Sequence, residues 1–258
     1  MAKLGQHFLI RKDATPKIIR ALELTRGDRV VEIGPGHGEL SLPLAGQLSE
    51  LKGSLIMIEK DAELARSLTS RQELRESKII LGDALEKLPV ITEKMSDYKI
   101  VGNLPYYISG YFFRTISRLK NKPCKTVVMI QKEVGERLAA KPPHMNRLAA
   151  SVQFWGEPKI IMHLGSKDFR PAPKVDSVVV SITTHAHKMS VREEAYYEAV
   201  RKIFRQPRKN ILNNLFDREG GLNKTELAKK LAKINISPEA RPQNLDIEQI
   251  CSIAGLSV

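Results

Sequence analysis

The sequence predicts an α/β fold, a mostly parallel sheet of seven strands followed by a small all-helical domain. Three observations carry this reading. Short β-branched runs alternate with helical patterns over most of the chain, a last apolar run SVVVSI (177–182) closes the alternation, and only helical periodicity follows a polar stretch. The length agrees, because 258 residues exceed one small core and suffice for a large domain with an appendage.

The expected strands are RVVEIG (29–34), SLIMIE (54–59), KIILG (78–82), YKIVG (98–102), KTVVMI (125–130), a weaker KIIMHL (159–164) and SVVVSI (177–182). The last two are joined by a Pro-rich loop too short for a crossover helix, so they should pair antiparallel. Helices are expected at GELSLPLAGQL, AELARSL, SGYFFRTISRL and KEVGERLAA. Before the first strand, Thr15 reads as a helix cap with Pro16 in the first turn. The polar stretch THAHKMS (184–190) reads as a linker. It sets the expected domains at 1–187 and 188–258, the second built from EEAYYEAVRKIF, RKNILNNLF, TELAKKLAKI and DIEQICSIAGL.

Composition narrows the function classes. No apolar run approaches the roughly 20 residues of a membrane span, and MAKLGQHFLIRKD lacks the pattern of a signal peptide. Cys124 and Cys251 match no metal spacing, nor do the histidines, with His185 and His187 in the linker, so no metal is expected. A reduced, cytoplasmic setting follows. The net charge of +13 is unevenly placed: residues 1–98 hold 15 basic and 15 acidic side chains, whereas residues 99–174 hold 14 against 4. A polyanion lying across the later segment explains this better than a solvated face.

The first strand runs into VVEIGPGHGEL (30–40), where glycines permit a sharp turn and close approach of a ligand to the main chain. A dinucleotide fingerprint would need a third glycine at Glu39. Gly34 and Gly36 are followed by Glu59 at the end of the second strand and Asp83 at the end of the third. Those carboxylates suit the ribose hydroxyls and the adenine amine of an adenosine without a pyrophosphate. No basic residue lies in the glycine loop, which suits a cationic ligand. S-adenosylmethionine meets these terms.

The stretch IVGNLPYYIS (100–109) supplies the rest. Asn103 follows the fourth strand, Pro105 holds Leu104 extended, and Tyr106 offers a flat face for a planar base. Acceptors beside a stacking ring suit the exocyclic amine of adenine. That amine is a poor nucleophile, and gripping its N–H bonds would align its lone pair with a sulfonium methyl.

With GQHFL (5–9), EIGPGHGEL (32–40), IEKD (58–61), GDAL (82–85), NLPYYIS (103–109), MIQKEVGERL (129–138), FRPAPKVDSVVV (169–180) and FRQPRK (204–209), the chain resembles the small-subunit (16S) ribosomal RNA adenine dimethyltransferases, the KsgA type, over essentially its whole length. The resemblance implies a Rossmann-like, seven-stranded class I methyltransferase sheet with a small all-helical C-terminal domain. It also implies methyl transfer to two adjacent adenines near the 3′ end of small-subunit rRNA. Carried over by position, His7, Leu9, Gly34, Gly36, Glu59, Asp83 and Asn103 would contact the cofactor. Asn103, Leu104 and Tyr106 would hold the target base, and Phe169 would help wall the pocket. Leu4, His7, Tyr107 and Pro207 depart from the common residues of that family.

RNA contacts are expected from Arg114, Arg118, Lys132, Arg137 and Arg147, with Arg205, Arg208 and Lys209 from the helical domain, making affinity steeply salt-dependent. The partner is small-subunit rRNA or an immature small ribosomal subunit, and the enzyme is expected to be a monomer. Two other readings stay open: a large-subunit rRNA methyltransferase of the Erm resistance type, and a non-catalytic assembly factor on the same scaffold.

Overall fold

The computed structural model describes residues 7–186, 190–216 and 223–256. Leu4, Gly5 and Gln6 of the N-terminal motif, and His187, lie outside them. The chain divides into two compact units, residues 1–135 with 158–184, and 136–157 with 185–258.

The first unit opens with β1 (Phe8–Leu9) and α1 (Ala14–Ala21). Then β2 (Arg29–Ile33), α2 (Ser41–Glu50), β3 (Ser54–Glu59), α3 (Ala62–Thr69), β4 (Lys78–Leu81), α4 (Ala84–Thr92), β5 (Tyr98–Asn103), α5 (Ser109–Arg118) and β6 (Lys125–Gln131) alternate. After α6 (Lys132–Leu138) and α7 (Arg147–Gln153) come β7 (Gly156–Leu164), β8 (Phe169–Arg170) and β9 (Ser177–Thr184). All seven expected strands form one sheet in the order β4-β3-β2-β5-β6-β9-β7. Strands β2 to β6 pair parallel, β9 runs antiparallel to β6, and β7 lies at the edge beside β9. Central strands read as continuous apolar runs because both faces are covered: Val30, Val31, Ile100, Val101, Val127 and Val128 are all buried.

Local rules explain most element ends. Asp61 and Asp83 lie in extended conformation and accept hydrogen bonds from the first amides of α3 and α4. At α1 the expectation changes. The helix starts at Ala14 behind Asp13, so Thr15 sits inside the first turn rather than capping it. Asp13 is held by Arg11 at 2.7 Å and Lys17 at 2.7 Å instead of turning to the helix amides.

A second, two-stranded sheet joins β1 antiparallel to β8, with Phe8 opposite Arg170 and Leu9 opposite Phe169. It fastens the N-terminal segment beside the carboxyl ends of the parallel strands.

The second unit contains α7, α8 (Glu193–Ile203), α9 (Ile211–Leu215), α10 (Lys224–Lys233) and α11 (Ile247–Ala254). Its core gathers Ala149, Ala150 and Phe154 with Tyr196, Val200, Leu231 and Ile250. The expected boundary at 187/188 therefore moves to 184/185, and residues 136–157 belong with the helices. The physical reason is a stacked pair, Phe154 on Tyr196 with centroids 3.9 Å apart, and the Tyr196 hydroxyl donating to the Ala150 carbonyl at 2.9 Å.

Gly102 shows how tightly the sheet is built next to the site. A β-carbon there would collide with the Ile33 carbonyl oxygen and lie 3.1 Å from the Ile33 Cβ. Gly110, on the exposed face of α5, has nothing within 4 Å of where its β-carbon would stand. Gly102→Ala is expected to cost about 1–3 kcal/mol of stability. Gly110→Ala should add about 0.5–1 kcal/mol. Opposite shifts of the urea midpoint check both.

Candidate active site

Strand order reverses at β2: the chain builds outward through β3 and β4, then returns to place β5 on the other side. Ligands of open α/β sheets bind outside the carboxyl ends of the strands at such a point. A cleft opens here, enclosing about 1160 Å³ of space continuous with solvent. Its walls come from His7, Phe8 and Leu9, from Glu32 to Gly36, from Ile58 to Lys60, from Gly82 to Ala84, and from Gly102 to Ile108.

The glycine loop is shaped by its backbone. Gly34, Gly36 and Gly38 have φ of 65°, 61° and 91°, in the left-handed region that side chains avoid. Phe8 covers this loop from the N-terminal side; a β-carbon on Gly36 would come within 3.0 Å of its ring. Phe8 also packs on His37, with centroids 4.4 Å apart.

Glu59, only 3% exposed, ends β3 and accepts from the Gly36 amide at 3.2 Å and the Asp61 amide at 2.9 Å. The carboxylate thus ties the glycine loop to the start of α3. Asp83 ends the turn after β4, accepting from the Leu85 amide at 2.9 Å and pairing with Lys60 at 2.9 Å. The Lys60 ammonium holds the Asp83 carboxyl below its ordinary value. Glu32 lines the same cleft but is buried, and desolvation pushes its carboxyl up to about 8. Its Oε2 has no hydrogen-bond partner among the described residues.

Asn103 ends β5 beside the glycine loop, its backbone carbonyl 3.4 Å from where a β-carbon on Gly34 would stand. Its amide nitrogen donates to the His7 carbonyl at 2.7 Å, which turns the side-chain oxygen away from that contact. Leu104 is buried, and its amide donates to the Met129 carbonyl at 3.1 Å. Tyr106 is held twice, by a 2.8 Å hydrogen bond between its hydroxyl and Ser177 Oγ, and by His7 stacked at 5.6 Å. Partial burial raises the Tyr106 phenol above its ordinary value, so it stays protonated at neutral pH. His7 Nδ1 lies 2.7 Å from the Pro171 carbonyl, the contact that anchors the segment.

His7, Leu9, Gly34, Gly36, Glu59, Asp83, Asn103, Leu104 and Tyr106 therefore converge on one cleft. Phe169 does not line it. That ring is 4% exposed and lies in the core, and of the strand pair Leu9–Phe169 only Leu9 lines the cleft. The eight basic candidates are all exposed, and none lines the cleft. Arg114, Arg118 and Lys132 belong to the first unit; Arg137, Arg147, Arg205, Arg208 and Lys209 belong to the second. In the second unit the buried Asn214 shapes the exposed turn that carries Arg205, Arg208 and Lys209. Its oxygen accepts from the Gln206 amide at 2.9 Å, and its amide donates to the carbonyls of Gln206, Lys209 and Asn210 at 3.1 Å. Glu32, Lys60 and Phe8 are site residues that the sequence reading did not single out. Their strand-end and loop positions were visible, but their burial and pairing were not.

The cleft's charge is one-sided. Glu39, Glu59 and Asp83 line it as carboxylates, with the buried Glu32 keeping its proton at neutral pH, against a single lysine, Lys60, already paired with Asp83. Such a lining fits a cation rather than a phosphate, and so fits S-adenosylmethionine. Among the described residues no cluster could hold a metal, and no helix is long and apolar enough to cross a membrane.

Comparison with known proteins agrees with this geometry. The chain is 34% identical over 264 residues to the ribosomal RNA small subunit methyltransferase A of Moorella thermoacetica, covering 97% of this chain and 90% of that one. It is 35% identical over 251 residues to the same-named protein of Dehalococcoides mccartyi, covering 95% and 84%. Among solved structures, a dimethyladenosine transferase from Plasmodium falciparum superposes with a TM-score of 0.80 at 22% identity, covering 96% of each chain. The 23S rRNA methyltransferase ErmE superposes at 0.75 and 21% identity, covering 96% and 98%. At such identities these two matches speak for the fold, a class I methyltransferase sheet. The ribosomal RNA adenine dimethylase family model matches residues 1–257, and with a carboxylate-lined cleft at the switch point of its sheet, this chain belongs to that family of S-adenosylmethionine-dependent methyltransferases.

Proposed function

We propose that the enzyme transfers methyl groups from S-adenosylmethionine to the exocyclic amines of two adjacent adenosines near the 3′ end of small-subunit rRNA, during ribosome biogenesis. The observation that carries this reading is Asn103. Its amide nitrogen is engaged by His7 while its oxygen has no described partner, at the lip of a cleft lined with carboxylates.

Glu59 and Asp83 would hold the adenosine of the cofactor, with the Gly34 and Gly36 backbone allowing close approach. S-adenosylmethionine supplies an electrophilic methyl on a positively charged sulfur. The Asn103 side-chain oxygen and the Leu104 carbonyl accept the two N–H bonds of the target amine, which points the nitrogen lone pair into the cleft. Tyr106, fixed at its hydroxyl by Ser177 and on one face by His7, presents its other face for the base to stack on. The target must leave its helix to reach this position, since pairing hides the amine. As the amine gains a methyl its positive charge develops beside Asn103 and the cleft carboxylates, so no strong base is required at the reacting atom.

A ribosomal substrate places the enzyme in the cytoplasm, and we take it to act as a monomer. The small-subunit reading is supported over the Erm type by the names of the relatives above. An intact cleft argues against a non-catalytic factor. Incubating the protein with labelled donor and unmethylated small subunits, then mapping the label, tests the reading. Label at two neighbouring adenosines near the 3′ end is expected; label confined to large-subunit RNA, or none, overturns it.

A further inference from the structure

We propose that the outer face of α5 is a docking track for the single-stranded RNA that flanks the target adenosine, a proposal that rests on the function just given. Helix α5 begins directly after the Asn103–Tyr106 loop, and its inner face buries Phe112, Phe113 and Ile116. Its outer face carries Tyr111, Arg114 and Arg118, all exposed. Spacings of three and four residues place them in one stripe along the helix. Tyr107, in the short 3₁₀ turn that leads into the helix (Tyr106–Ile108), lies exposed at the rim of the cleft, between that stripe and the site.

The chemistry of the stripe is that of a single-strand platform. Tyr107 is 57% exposed and Tyr111 63%. Large aromatic rings held open beside a cleft offer flat faces on which unpaired bases stack, whatever their identity. Neither Arg114 nor Arg118 forms an ion pair among the described residues. No aspartate or glutamate occurs anywhere from residue 98 to residue 132, so nothing on this element neutralises them. Lys99 and Lys125 in the same span are spent elsewhere, paired with Asp28 and Glu23 at 2.7 Å. What remains on the helix itself is two rings near the cleft and two free guanidinium groups leading away, with the exposed Lys120 just past its end, the order in which a flipped-out base would be followed by splayed neighbours and their phosphates. A duplex keeps its base faces stacked and would leave both rings idle.

The test uses the full-length protein and an oligoribonucleotide with two adjacent unpaired adenosines, followed by fluorescence anisotropy across a salt series. S-adenosylhomocysteine affinity is measured on the same samples. Tyr111→Leu should weaken RNA binding by about five- to a hundredfold, with the salt slope unchanged, while Tyr111→Phe stays within about twofold. Arg114→Gln with Arg118→Gln should lower the slope of log affinity against log salt by about 1.4, since each single-strand phosphate contact contributes about 0.7. S-adenosylhomocysteine should bind all variants as it binds the wild type, which also shows that they fold. Wild-type RNA affinity and slope in Tyr111→Leu and in the double variant would overturn the track. So would variants that bind the oligonucleotide normally yet lose affinity for small subunits, because the face would then meet a protein. If the wild type itself methylates no small subunit, the functional reading fails instead.

Discussion

Asn103→Ala is expected to slow methyl transfer by about 10²–10³-fold, the usual effect of removing one aimed polar group from a developing charge. Binding of S-adenosylhomocysteine should weaken only modestly, because Glu59, Asp83 and the glycine loop do not depend on that side chain. The side chain lies at the cleft surface with one hydrogen bond, to His7, so the stability loss should stay near about 1 kcal/mol. Single-turnover rates against product affinity separate these effects. A second variant isolates the geometry. Asn103→Asp keeps an acceptor for the target amine but, when ionised, has nothing to donate across the 2.7 Å to the His7 carbonyl. Two oxygens then face each other and the carboxylate should swing away, lowering the rate. Protonation restores a donor on one oxygen and an acceptor on the other, so this variant should recover activity as pH falls. Near-wild-type turnover in Asn103→Ala, or an Asn103→Asp profile parallel to wild type, would remove the role assigned to this side chain.

Much of this architecture is legible in the sequence. The central strands of the large sheet could be drawn from β-branched runs, because strands buried on both faces show unbroken apolar stretches, whereas the part-exposed edge strands β4 and β7 offered only the shorter runs KIIL and KIIMHL. The convergence of Gly34, Glu59, Asp83 and Asn103 was also readable, since each ends a strand and parallel strands end at one edge. The unread parts share a cause: they depend on contacts distant in sequence. Strands β1 and β8 are two residues each and pair across most of the first unit, so no local period marks them. Phe169 carries an aromatic ring in a functional motif, yet its pairing opposite Leu9 sends it into the core. The apolar pattern of α7 announces a buried face without saying which core it serves, and Phe154 meets Tyr196 rather than the sheet. Lys60 reads as a solvated charge until the turn after β4 brings Asp83 within 2.9 Å.

Glu32 gives the second large effect, on stability rather than rate. Buried beneath the cleft, its carboxyl is pushed up to about 8 by desolvation, with the Glu39 and Glu59 charges adding to the shift. In the unfolded chain it returns to 4.5. Between those values the unfolded chain releases the proton and the folded chain keeps it, so the folded state binds more protons and stability falls as pH rises. Below the window both states are protonated and the penalty vanishes; above it both are ionised and the penalty is complete, up to about 5 kcal/mol at 1.36 kcal/mol per unit. Asp28, Asp83 and Glu23 work in the other direction, since cationic neighbours hold them low, but their contribution is already complete above about pH 5. The decline between pH 5 and 8 is therefore assigned to Glu32. Glu32→Gln removes the ionisable group and keeps the shape; any cost of its buried amide is the same at every pH and moves the level of the curve, not its slope. Urea unfolding at pH 5.5, 7 and 8.5 should show wild-type stability dropping by several kcal/mol while the variant stays nearly flat. Parallel curves for the two proteins would mean that Glu32 is already ionised in the fold, with a partner or water supplying what burial takes away.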